Sequence, residues 1–114
     1  MHESSENTRL KRLQLLAREN PKDPFIQYAL GLEWEKQGCH QQAEQIWNEV
    51  LRQYPAYLPA HQRLAGLYVM QSKLDEALAA AQNALLCAQQ AKDDHATEIA
   101  LELLARIGEE LNSE

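Results

Sequence analysis

Leucines at positions 10, 13 and 16 recur at helical spacing inside RLKRLQLLAR, an otherwise basic stretch. Further on, Tyr28–Gly38 reads YALGLEWEKQG and Gln62–Ser72 reads QRLAGLYVMQS. Both place a Leu, then a very small residue, then a ring three positions later. Punctuation between the apolar runs predicts six helices. The first spans about 7–19 and stops before Asn20-Pro21. Asp23-Pro24 opens the second, with Asp as N-cap and Pro at the first helical position, and Gly38 ends it. A third covers about 40–53, before Tyr54-Pro55, and a fourth runs from near Pro59 to Gln71. Ser72 with Asp75 has the spacing of a capping box and starts a fifth, which reaches about Ala91. Asp93-Asp94 caps the sixth, which runs to about Leu111. The connections are short, so successive helices are expected as antiparallel neighbours.

The second and third helices repeat in the fourth and fifth. An offset of 34 residues carries Leu30 to Leu64, Gly31 to Ala65, Trp34 to Tyr68, Ala43 to Ala77, Val50 to Ala84 and Pro21 to Pro55. Packing gives the reason: two helices approach closely only where one offers a notch. Gly31 and Ala65 are the expected notches, and Ala43 and Ala77 the small residues facing them. Trp34 and Tyr68, one turn on, close the gap, as Trp47 does from the other helix of its pair; the counterpart of Trp47 is only Ala81. Leu13, Leu16 and Pro21 precede Trp47, Val50 and Pro55 by the same 34, so the first helix reads as a second half-unit. With one residue inserted, Ile99, Ala100 and Leu103 follow Leu64, Ala65 and Tyr68, and the sixth reads as a first half-unit.

Composition agrees. Leu (18) and Ala (16) dominate the 114 residues, while Val, Ile and Thr together number 8, a balance that favours helix over strand. The expected fold is all-α, a short right-handed α-solenoid of antiparallel pairs in one domain over residues 1–114. It comprises a flanking helix at 7–19, repeats at 24–57 and 58–91, and a capping helix at 94–112. The acidic tail Glu109–Glu114 suits an end that faces water. The formal charge of −6 disfavours a nucleic-acid partner, which requires a basic face. No apolar run reaches membrane-spanning length, and MHESSENT is unlike a secretory leader. Cys39 and Cys87, far apart and outside any CxxC, suggest a reduced, cytoplasmic protein.

Leu30-Gly31, Trp34, Ala43, Trp47 and Pro55, at those spacings, resemble the tetratricopeptide repeat, a helix-turn-helix unit of 34 residues. Leu64-Ala65, Tyr68, Ala77 and Ala84 resemble a second copy. The chain departs from the family at Gln27 and His61, where it usually carries Trp, and at Gln89, which replaces the closing proline. The resemblance implies a concave side lined by first helices, with groove positions at Phe25, Tyr28, Leu32, Glu35 and Lys36 and at Pro59, Gln62, Gly66, Val69 and Met70; Leu101 and Leu104 would extend it. It implies a non-enzymatic adaptor or chaperone-like scaffold holding a peptide or amphipathic helix. The family's grip on chaperone carboxylate tails uses Lys and Asn where this chain has Tyr28, Leu32 and Gly66, so that specificity is not expected. A structural homo-oligomer burying the same groove is the other reading.

Reactive chemistry is sparse. Histidines 2, 40, 61 and 95 have no metal-ligand spacing and read as solvated surface. No cofactor is expected, and neither cysteine lies near a sequence-evident base: Cys39 sits in a turn and Cys87 reads as core filler. The basic first helix could lie on an acidic membrane, but its leucines are as well explained as the stripe that packs on the next helix, leaving the basic residues as a solvated face or as a docking patch for an acidic partner.

Overall fold

The structure, a computed structural model, describes residues 5–113; His2, the polar start of the chain and Glu114 lie outside it. Six α-helices follow one another: α1 (Ser5–Glu19), α2 (Pro24–Lys36), α3 (His40–Gln53), α4 (Leu58–Met70), α5 (Leu74–Gln90) and α6 (Asp94–Asn112). No strand occurs among the described residues. The chain divides into two compact units, Met1–Pro55 and Ala56–Glu114. In the first, α2 packs against α1 and α3; in the second, α5 packs against α4 and α6. Each unit is therefore a run of three antiparallel helices.

Local chemistry sets the boundaries. Asp23 accepts hydrogen bonds from the N–H groups of Phe25 (2.9 Å) and Ile26 (3.2 Å), capping α2 as its position before Pro24 predicts. Asp93 does the same for α6 through Ala96, at 3.0 Å. Three helices end alike, on a residue with positive φ: Gly38 (81°), Ser72 (58°) and Lys92 (56°). In each case that residue donates to a carbonyl three back, and its successor to one five back: Cys39 to Trp34, Lys73 to Tyr68 and Asp93 to Ala88, all at 2.9 Å. These are Schellman closures. Ser72 is thus not the N-cap of the fifth helix, as its spacing from Asp75 suggests. Its left-handed backbone ends α4, and Lys73 caps α5 without a side-chain bond.

In the first unit, Leu30, Ala43, Trp47 and Val50 are buried around Gly31. The notch at Gly31 is filled by the Trp47 indole itself rather than by Ala43. A Cβ on Gly31 would lie 2.3 Å from Trp47 Nε1 and 2.8 Å from Cδ1. Trp47 Nε1 donates to the Tyr28 carbonyl at 3.2 Å, fixing the ring across the helix pair. In the second unit the core is a run of alanines, Ala77, Ala80, Ala81, Ala84 and Ala88, with Leu64, Ala65 and Leu67. Trp34 and Tyr68 are half-buried.

The ends differ from expectation in two ways. On α1, Leu10 and Leu13 are half-buried, but the burial expected of Leu16 falls to Ala17, and Leu16 is 43% exposed. Ala17 continues the line of positions 10 and 13, whereas Leu16 is turned about 100° away from it. At the other end, α6 begins 36 residues after α4. Its buried Ala96 and Ala100 accordingly stand 36 after Ala60 and Leu64, and Leu101, not Ala100, occupies the position of Ala65. The insertion is two residues, not one, because α5 runs on to Gln90.

Candidate functional site

The positions proposed for a binding face divide by exposure. Phe25 (66%), Met70 (65%) and Leu101 (50%) are large, apolar and exposed. Lys36 and Gly66 are also exposed, whereas Tyr28, Leu32, Glu35, Gln62, Val69, Pro59 and Leu104 are half-buried. Tyr28 is partly committed to the core, its ring centroid 6.4 Å from that of Trp47. The residues proposed as repeat-defining behave as framework: Leu30, Gly31, Ala43, Trp47, Leu64, Ala65, Ala77 and Ala84 are buried, and Pro55 lies exposed in the connection after α3.

Within the second unit the structure brings several of these positions together. Gly66 and Val69 of α4 face Leu103, Arg106, Ile107 and Glu110 of α6 across a cleft of about 130 Å³. Beyond its chain neighbours and the backbone of α4 itself, no atom lies within 4 Å of where a Gly66 Cβ would stand, so the missing side chain leaves the cleft open. Its walls are apolar, with one cation and one carboxylate at the edge. The first unit holds a larger cleft of about 170 Å³ at the α1–α2 turn, lined by Pro21, Pro24, Gln27, Ile46, Val50 and Tyr54 among others. The Tyr54 hydroxyl donates to the Lys22 carbonyl at 2.5 Å and closes one side. Nothing in the sequence singled this cleft out beyond its two proline punctuations.

Three polar residues have roles that their spacing did not disclose. Gln27, at a departure from the family pattern, donates through Nε2 to the carbonyls of Ala17 (3.0 Å) and Asn20 (3.2 Å) and so caps the end of α1. His61, expected on the surface, is only 7% exposed. It lies one turn before Ala65 and therefore on the same inward face. Glu33 is 4% exposed; its Oε2 lies 3.9 Å from Arg9 Nη1, while Oε1 has no hydrogen-bond partner.

The described residues hold no group of three or more His, Cys, Asp or Glu able to ligate a metal, and none of their helices is long and apolar enough to cross a membrane. Cys39 and Cys87 form no disulfide and are half-buried. Burial pushes the Cys87 thiol above its ordinary pKa, away from a reactive thiolate. The chain matches no family model and no curated protein sequence.

Proposed function

We propose that this chain is a tetratricopeptide-type helical-repeat protein acting as a non-enzymatic adaptor, which holds a segment of a partner protein against the first helices of its repeats. The observation that carries this reading is the α4–α6 cleft, where Gly66 and Val69, both anticipated as groove positions, line an open apolar hollow. At about 130 Å³ it suits one apolar side chain of a larger partner, since pockets for small-molecule ligands run to roughly 300–1,000 Å³. Exposed Met70, next in sequence to Val69, adds adaptable apolar surface of the kind used at such contacts. The same reading puts the protein in the cytoplasm, where thiols outside disulfides stay reduced.

Capture from a cell extract, with wild type and Gly66→Leu side by side, tests it. A leucine at 66 fills the cleft without touching the buried face of α4. A partner held by wild type and lost from Gly66→Leu, at unchanged helical content and melting, supports the proposal. Equal capture by both proteins refutes it. Val69→Glu is expected to act in the same direction by placing a carboxylate in the apolar wall.

A further inference from the structure

The first and last helices expose apolar side chains at positions that are sealed in the helices between them. Leu16 of α1 precedes Val50 of α3 by 34 residues; Val50 is 3% exposed and Leu16 43%. Arg9 precedes fully buried Ala43 by the same interval, and its side chain is 59% exposed. Leu101 of α6 follows Ala65 of α4 by 36, the spacing between the starts of those helices; Ala65 is sealed and Leu101 is 50% exposed. So, among the described residues, α1 has the stripe of a second helix without the first helix of its own unit, and α6 the stripe of a first helix without the second helix of its own unit.

The two end helices also carry opposite net charge. Over α1 the chain has four basic residues, Arg9, Lys11, Arg12 and Arg18, against two acidic ones. Over α6 it has Asp94, Glu98, Glu102, Glu109 and Glu110 against Arg106 alone. Leu15, beside Leu16, is 53% exposed among the basic residues of α1, and Leu101 stands between Glu98 and Glu102 in sequence. Each face thus displays exposed leucine framed by charge, and the signs are complementary.

We propose that α6 of one molecule pairs with α1 of a second copy of this chain, the leucines meeting at the centre and the basic and acidic residues facing across the rim. Copies of this chain satisfy both faces, each offering α6 to one neighbour and α1 to another. Any other occupant of α1 would need the acidic, leucine-bearing surface that α6 already provides. The contact is heterologous, joining two different patches, so copies link head to tail into rings or filaments as concentration rises. Its charged rim lies in solvent, where screening over about 10 Å at 0.1 M salt weakens it. This contact is separate from the α4–α6 cleft and does not rest on the adaptor reading.

Light scattering of the full chain, from about 10 μM to about 1 mM, covers the affinities such a contact can have. At low salt the average mass is expected to climb with concentration from the 13.0 kDa of one chain, and at high salt to fall back toward it. Two charge reversals then locate the faces: Arg12→Glu with Arg18→Glu on α1, and Glu98→Lys with Glu102→Lys on α6. Each variant alone should stay at the mass of one chain with unchanged helical content, and an equal mixture of the two should associate again. Monomer throughout at low salt overturns the proposal. So does association that survives either reversal, or a mixture that fails to associate.

Discussion

The α2–α3 and α4–α5 pairs solve one packing problem with different side chains. In the first, a glycine is cut away and an indole fills the space; in the second, at the same offsets, two alanines meet the same requirement. Both Trp47 and Ala81 are fully buried. What repeats is therefore burial at both positions and not side-chain volume, which is larger for glycine with tryptophan than for two alanines. The two solutions differ in fragility. The first pair hangs on one large ring anchored by a single hydrogen bond, and the second spreads its contact over a stripe of small residues.

The largest expected effect breaks the first solution. Trp47→Ala should cost about 3–5 kcal/mol in urea unfolding, because the notch is left empty. Gly31→Ala alone should also destabilise, by about 1–3 kcal/mol, since its Cβ would drive the indole off the Tyr28 carbonyl. Made together, the changes recreate the alanine pair of the second unit. In the Trp47→Ala background Gly31→Ala should therefore stabilise, by about 1 kcal/mol from helix propensity. That reversal of sign is the measurement that matters. If Gly31→Ala is equally harmful in both backgrounds, the notch is not made for the ring.

A second contrast lies two residues along. Glu33 and Leu67 stand 34 apart and are both buried, one a carboxylate with an orphaned oxygen, the other an apolar side chain. A long, single contact to a mostly exposed arginine compensates such burial poorly. Glu33→Leu is expected to raise the free energy of unfolding, by about 1 kcal/mol or more, read from urea unfolding. A clear loss of stability instead would show that the Arg9 pairing holds α1 in place.

Much of this framework is legible in the sequence, because it rests on local signals. Asp23 and Asp93 cap where they stand before their helices, and the bounds of α3 follow from Cys39-His40 and Tyr54-Pro55. The 34-residue relation survives in the burial of Leu30 and Leu64, of Ala43 and Ala77 and of Val50 and Ala84. What the sequence hides is which partner each position meets. Spacing puts Gly31 opposite a small residue as readily as opposite a ring, and only the three-dimensional match shows that Trp47 fills it. Capping chemistry is likewise ambiguous: a serine before an acidic residue three on fits an N-cap, yet Ser72 is spent on the left-handed turn that ends α4. Of the candidate site, Phe25, Gly66, Met70 and Leu101 are exposed, each at a position the resemblance assigns to a groove. The α4–α6 cleft was not legible, because it depends on the register of α6, which the lengthened α5 moves.

That turn sharpens the comparison at smaller scale. Gly38 and Ser72 close α2 and α4 with the same hydrogen bonds, at φ of 81° and 58°. Only backbone sterics separate them, since nothing lies within 4 Å of a Cβ at Gly38. Gly38→Ser should cost about 1 kcal/mol, the order of the left-handed penalty for a residue with a Cβ. Ser72→Gly should gain a similar amount, since the entropy of the unfolded chain enters both changes equally and with opposite sign. Shifts of opposite sign and similar size in paired melting curves are the expected result; shifts of the same sign would mean that more than backbone sterics separates the two turns.

The smallest contrast is between the two thiols. Cys39 sits in the connection between α2 and α3, its N–H bonded to the Trp34 carbonyl. Cys87 lies on α5, and desolvation there raises its pKa above the ordinary 9.0. The folded state then holds that proton to higher pH than the unfolded chain does. Its contribution to stability is intact below pH 9.0 and declines as pH rises beyond it. The same shift lowers the thiolate fraction near pH 8, so alkylation at Cys87, followed by mass spectrometry of each peptide, should run slower in the folded protein than in urea. Equal rates in the two states would mean that α5 opens more easily than its buried alanines imply, and that the alanine stripe is the looser of the two solutions.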